Sequence, residues 1–137
     1  MKKRRVFRNL LIIVLLHIGI IKIQSQPDYG KLINAIAHVE SKHNEKLVSK
    51  NHTHVGLLQI SKITVDECNR IIGRKKYRYD DRFNREKSIE MFIIIQKFYN
   101  KTNNIERAIR LWNGGPNASK SKTEKYYRKV IKVYNRL

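Results

Sequence analysis

Ile33-Asn34-Ala35-Ile36-Ala37-His38-Val39-Glu40-Ser41 is the stretch around which the chain is organised. Wound as a helix, it places Ile33, Ile36 and Ala37 on one stripe, and Glu40 falls on that same stripe. Charged groups are rarely buried unpaired, so a carboxylate that extends an apolar face is a candidate for chemistry. Burial disfavours the charged form and raises the pKa, which lets the group hold a proton near neutral pH, as a general acid must. Taken alone, the stretch also fits a helix-end Glu that points into solvent or pairs with a lysine.

Upstream, Met1 to Arg8 is basic, Leu10 to Ile21 is apolar apart from His17, and small Ser25 precedes Gln26 and Pro27. A charged start, an apolar run and a small residue make the layout of a secretory signal over residues 1–25. The run is shorter than the ~20 residues of a membrane-spanning helix. Ile23 and Ser25 make an imperfect cleavage site, so an uncleaved N-terminal anchor is the alternative. Either way the body, residues 28–137, is expected as a single domain outside the cytoplasm.

The chain of 137 residues carries a net charge of +19 and is 41% hydrophobic, enough for a packed core and too much for a disordered chain. Removing residues 1–25 takes away six basic side chains and no acid, leaving 24 basic against 11 acidic groups. The excess of +13 therefore belongs to the body. Such a field favours polyanionic surroundings: nucleic acid, anionic membrane or an anionic wall polymer. Cys68 is the single cysteine, so no internal disulfide forms, and it is expected as a small hydrophobe on a helix.

Downstream the pattern is helical. A first helix is predicted over about Asp28 to His43, capped by Asp28, followed by a polar loop over Lys42 to Thr53. Gly56-Leu57-Leu58-Gln59-Ile60 forms an apolar knot. Ser61 caps a helix over Lys62 to Ile72 with Gly73 as its stop. The longest helix is predicted over Arg82 to Asn100, buried on most sides because Phe92, Ile93, Ile94 and Ile95 are contiguous. Asn103 or Asn104 caps a short helix bearing Ile105, Ala108, Ile109 and Trp112, stopped by Asn113-Gly114-Gly115-Pro116. Ser121 or Thr123 opens a last helix with Tyr126, Val130, Val133 and Tyr134 along one face. With no strand-rich segment and no repeat, the expected fold class is all-α, mainly helical.

Four pieces, in order, resemble the lytic transglycosylase (SLT) domain family, a goose-lysozyme-like fold that cleaves peptidoglycan. They are Ile36 to Glu40-Ser41, Gly56-Leu57-Leu58-Gln59-Ile60, Trp112-Asn113-Gly114-Gly115-Pro116, and Thr123-Glu124-Lys125-Tyr126 followed by Val130. The resemblance covers about Lys31 to Val133. It implies that Glu40 is the single catalytic carboxylate. That group would protonate the oxygen between N-acetylmuramic acid and N-acetylglucosamine. It would then deprotonate the muramic C6 hydroxyl as that attacks C1, leaving a 1,6-anhydro sugar. Most glycosidases use two carboxylates; the resemblance implies that here the nucleophile belongs to the substrate, and the sequence singles out no second acid.

The resemblance makes Ser41, Gly56, Gln59, Trp112, Asn113 and Tyr126 the candidate substrate-binding residues. Ser41 also reads as a helix-terminal hydroxyl bonded to backbone, and Gly56 as a tight turn or a close approach to the sugar. Gln59 is a two-way amide suited to an acetamido or hydroxyl group. Trp112 departs from the family's usual Tyr and reads either as a sugar-stacking ring or as core. Asn113 binds glycan or caps the helix. Tyr126 is the family's Tyr near the acid, with Tyr127 as the rival on a different helical face.

His52-Thr53-His54 with His38 or His43 lacks the His-Glu-x-x-His pattern, so no metal and no cofactor is expected. Three functions follow. The first is a lytic transglycosylase acting on peptidoglycan strands, which the habit of small family members puts in the service of a secretion or conjugation apparatus. The second is a hydrolase on the same fold. The third is a non-catalytic basic protein that binds wall or nucleic acid. Nucleic acid is disfavoured because the leader sends the chain outward and the charges are scattered over every segment.

Overall fold

A computed structural model describes residues 29–137. The expected leader at residues 1–25 and the expected cap at Asp28 lie outside the described residues. Five helices and one small hairpin follow in order: α1 (Tyr29–Ser41), β1 (His54–Val55), β2 (Ile60–Ser61), α2 (Lys62–Ile72), α3 (Arg85–Tyr99), α4 (Ile105–Gly114) and α5 (Lys120–Tyr134). The all-α reading holds, and among the described residues the strand content is confined to a two-residue ladder in which Val55 faces Ile60.

α1 is the central element. Leu32, Ala35 and Ile36 are fully buried, with Ile33 and Ala37 nearly so. Fully burying a Leu or Ile side chain contributes roughly 1.5–3 kcal/mol, which fixes the face on which Glu40 continues the stripe. α5 packs against both α1 and α4, and α2 packs on α3. Phe92 and Ile95 of α3 are buried, whereas Ile93 and Ile94 are only half-buried. The Ile run therefore covers the core on one side of α3 and its surface on the other. Cys68 is fully buried beside the Met91 carbonyl, 3.6 Å from its sulfur. Burial pushes its thiol up to about 12.

Local signals set most boundaries. Ser61 accepts from the Thr64 amide at the start of α2, and Gly73 ends it at φ 71°. Asn104 accepts from the Arg107 amide at the start of α4. Two starts differ from expectation. The helix expected from Arg82 begins at Arg85, because Tyr79–Phe83 forms a 3-10 turn and Asn84 is the cap, accepting from the Lys87 amide. Arg82 is drawn inward instead: it is 6% exposed and donates through Nε to the Tyr79 carbonyl at 2.7 Å. The last helix begins at Lys120 with Ser119 as its cap, not Ser121 or Thr123. Thr123 is buried inside that helix, donating to backbone carbonyls one turn back.

The apolar knot is the turn of the hairpin, and Gly56 is its tightest point. Gly56 has φ +79°, and a Cβ added there would lie 2.0 Å from the Arg82 carbonyl oxygen. The turn thus rests directly on backbone of the 3-10 segment. The polar segment before it is not a free loop. Val48 bridges Val55, and the Gly56 amide donates to the Leu47 carbonyl at 2.8 Å. Short ladders of this kind leave no period-2 run long enough to read as a strand.

Candidate active site

Glu40 sits in the last turn of α1, half-buried. The Tyr126 hydroxyl of α5 donates to its Oε1 at 2.6 Å. Burial raises the Glu40 pKa above the ordinary carboxylate range, against the opposing pull of the Tyr126 hydrogen bond and the Lys129 charge. Tyr126 itself is held well above its usual range, first by burial and then by the neighbouring carboxylate, so its hydroxyl stays a proton-bearing donor. Tyr127 turns elsewhere: the Arg110 guanidinium lies over its ring at 4.4 Å.

Glu40 opens into a cavity of about 340 Å³ lined also by Ser49, Asn51, His54, Gln59, Trp112 and Asn113. Glu40 is the one carboxylate among those lining residues. A second cavity of about 700 Å³ shares His54, Trp112 and Asn113 with it, so the two adjoin at those residues. That second cavity is lined as well by Ile63, Ile95, Leu111 and Pro116 and by Glu67, Arg70 and Tyr99. Arg70 grips Glu67 through Nε at 2.8 Å and through its terminal nitrogen at 2.6 Å. That hydrogen bonding pulls the Glu67 carboxyl down to about 2, so Glu67 stays ionised and cannot act as an acid near neutral pH.

The hairpin turn is the floor that sets these groups in place. Ser41, at the end of the acid-bearing helix, donates to the Leu57 carbonyl at 2.8 Å and lies 3.1 Å from the Ala37 carbonyl. From the opposite side, Trp112 Nε1 donates to the Leu58 carbonyl at 3.2 Å, and its ring meets Phe92 edge-on at 5.0 Å. Two successive carbonyls of one turn are therefore held by two different helices. Gln59 then follows in the left-handed region at φ 49°, a conformation that costs a non-glycine residue about 1–2 kcal/mol and persists where surroundings enforce it. Its amide nitrogen donates to the Leu47 and Gly56 carbonyls at 3.2 and 3.0 Å. With both N–H groups engaged, its carbonyl oxygen is the remaining function on a residue that lines the cavity, and it can accept from an N–H or O–H donor.

Of the residues singled out in the sequence, Glu40, Gln59, Trp112 and Asn113 line the cavity, and Tyr126 touches Glu40 from behind. Ser41 and Gly56 face protein backbone: the hydroxyl meets Ala37 and Leu57, and the glycine meets Arg82. Sequence reasoning missed Ser49, Asn51 and His54 as wall residues and Lys129 as a charge acting on the acid. A signal was present for the first group. Asn51 Oδ1 accepts from the Ser49 hydroxyl and from the Thr53 amide and hydroxyl. Ser-x-Asn-x-Thr is the composition of a side-chain-tied turn.

The family model described as the transglycosylase SLT domain matches residues 21–135. The chain belongs to the transglycosylase SLT family, whose members cleave glycosidic bonds of peptidoglycan. No curated protein and no solved structure gives a significant match to it.

Proposed function

We propose that the protein is a peptidoglycan lytic transglycosylase in which Glu40 alone carries the proton transfers. The reading rests on one observation: the half-buried Glu40 carboxyl, its pKa raised by burial, is held by Tyr126 at the edge of a groove. Protonated Glu40 gives its proton to the glycosidic oxygen between N-acetylmuramic acid and N-acetylglucosamine. The C1–O bond breaks, and the N-acetylglucosamine side leaves as an alcohol. The resulting carboxylate removes the proton of the muramic C6 hydroxyl as its oxygen bonds to C1. Glu40 ends protonated again, and the product is a 1,6-anhydro ring with no net consumption of water. A single group that gives and then takes one proton works best with a pKa near the operating pH.

In this scheme Tyr126 fixes the carboxyl and stabilises its ionised form. Gln59 accepts from an acetamido N–H or a sugar hydroxyl. Trp112 and Asn113, which line both cavities, contact the glycan. Ser41 and Gly56 serve by locking the turn that presents Gln59. The same reading makes residues 1–25 an export signal or anchor and residues 28–137 the catalytic domain. It puts the work on wall strands in the periplasm or outside the cell, in the service of a secretion or conjugation apparatus. No helix among the described residues is long and apolar enough to cross a membrane.

Digestion of purified wall, with mass analysis of the released muropeptides, tests the chemistry. The wild type should yield ends lighter by one water than the hydrolysed sugar, and Glu40→Gln should yield none. Reducing ends from the wild type would make the enzyme a hydrolase and overturn the scheme.

A further inference from the structure

Lys122, Lys125, Lys129, Lys132 and Arg136 recur at alternating spacings of three and four residues along α5 and just past its end. At 100° per residue they fall within a sector of about 80°, and from first to last they span about 21 Å. All five are exposed. None of them forms an ion pair among the described residues. The other cations of α5 behave differently: Lys120 pairs with Glu106 and Arg128 with Glu124. Like charges at these spacings destabilise a helix, so the row does not serve the fold. It runs beside the acid. Tyr126, on the same helix about 40° outside that sector, holds the acid, and the Lys129 charge is felt by Glu40.

The row lacks what a bilayer would need. Surface-lying helices place apolar side chains next to their cations, but on α5 Val130 is buried and Tyr126, Ile131 and Val133 are half-buried against the core. Of the large hydrophobic residues that are exposed, Leu137 alone lies at this end of the chain. A line of cations without an apolar fringe fits a strand that carries repeated anionic groups.

We propose that this row is a docking rail for the substrate strand. On it the carboxylates of stem peptides lie against Lys122, Lys125, Lys129, Lys132 and Arg136 while the glycan occupies the groove at Glu40. The inference rests on the peptidoglycan reading above, and it is tested by binding alone. Glu40→Gln protein, which leaves strands uncut, is co-sedimented with intact walls, and its binding to walls stripped of stem peptides by an amidase, a treatment that frees soluble glycan strands, is read in solution by calorimetric titration. The parent is compared with the same protein carrying Lys122→Gln, Lys125→Gln and Lys132→Gln, and with a version carrying Arg at those three positions.

The Gln triple should bind intact walls about tenfold more weakly at low salt. The Arg triple should bind as the parent does, and stripped walls should be bound alike by all three. Salt near 1 M, where the screening length is about 3 Å, should abolish the difference. Equal binding of parent and Gln triple to intact walls would overturn the rail and leave the peptidoglycan reading standing. An equal loss on stripped walls would do the same, because it would trace the row to the glycan or to another polymer. Failure of the parent to bind either wall would sink the substrate reading, and the rail with it. Thermal melts of each protein guard against a folding defect.

Discussion

Tyr126→Phe removes a single hydroxyl and leaves the buried ring in place. In the wild type that hydroxyl donates to Glu40 Oε1 at 2.6 Å and favours the ionised carboxyl, against the burial that favours the protonated one. A hydrogen bond to a charged group is worth about 1.5–3 kcal/mol, and one to a neutral acceptor about 1 kcal/mol. The difference between the two protonation states is thus about 1.4 kcal/mol, a factor of ten in their ratio. Removing a stabiliser of the anion drives the Glu40 pKa further up. A general acid is active while protonated, so the alkaline limb of kcat/KM against pH should move upward by about one pH unit. The plateau should also fall about tenfold, because the carboxyl is no longer held against the leaving oxygen. Clearing of wall suspensions, followed from about pH 4 to about pH 9, reads both effects. Stability carries the same sign: the variant should trail the wild type by about 1 kcal/mol at low pH, where Glu40 is protonated, and fall further behind as pH rises through its titration. An alkaline limb that stays fixed or moves down, in a protein that still melts cooperatively, would refute the assignment of Tyr126 to the carboxylate.

Glu40→Gln should lower wall digestion by about 10²–10⁴-fold. Because burial raises the Glu40 pKa in the fold, that group's stabilisation is complete below the ordinary carboxylate range and is lost as pH rises through the raised value. The Gln variant should therefore gain in melting temperature relative to the wild type as pH increases, read by thermal melts across the same range. Gly56→Ala places a methyl within 2.0 Å of the Arg82 carbonyl at a φ of +79° and should cost about 3 kcal/mol or more in chemical denaturation. Trp112→Phe keeps an aromatic face but deletes the donor to the Leu58 carbonyl at 3.2 Å. It should cost about 1 kcal/mol in the same assay and raise KM as the Gln59 turn loosens.

What the sequence alone determined is local. The stripe of Ile33, Ile36 and Ala37 that Glu40 extends, the cap at Ser61, the stop at Gly73 and a cap at Asn103 or Asn104, of which the structure uses Asn104, all act within one helical turn. Side chains and backbone groups that close in sequence meet whatever the rest of the chain does, so helix number and type, and the lone acid on an apolar face, were legible. The late start of α3 was not, because Arg82 leaves the helical pattern only when the Tyr79 and Ile60 carbonyls are there to receive it. The cap at Ser119 was missed in favour of Ser121 or Thr123, since all three carry a capping hydroxyl and Thr123 is instead buried one turn inside the helix.

The site was decided by packing over long separations. Tyr126 reaches Glu40 across 86 positions, and Trp112 reaches the Leu58 carbonyl across 54. Tyr126 and Tyr127 are adjacent in sequence and alike in chemistry. The rotation of α5 on α1 and α4 puts one on the carboxyl and leaves the other under Arg110. The spacing of Tyr126, Val130, Val133 and Tyr134 marks the inner face of α5 but not which helices lie against it. That rotation follows from how the buried faces of three helices fill one volume, a property of the assembled core and not of any one segment.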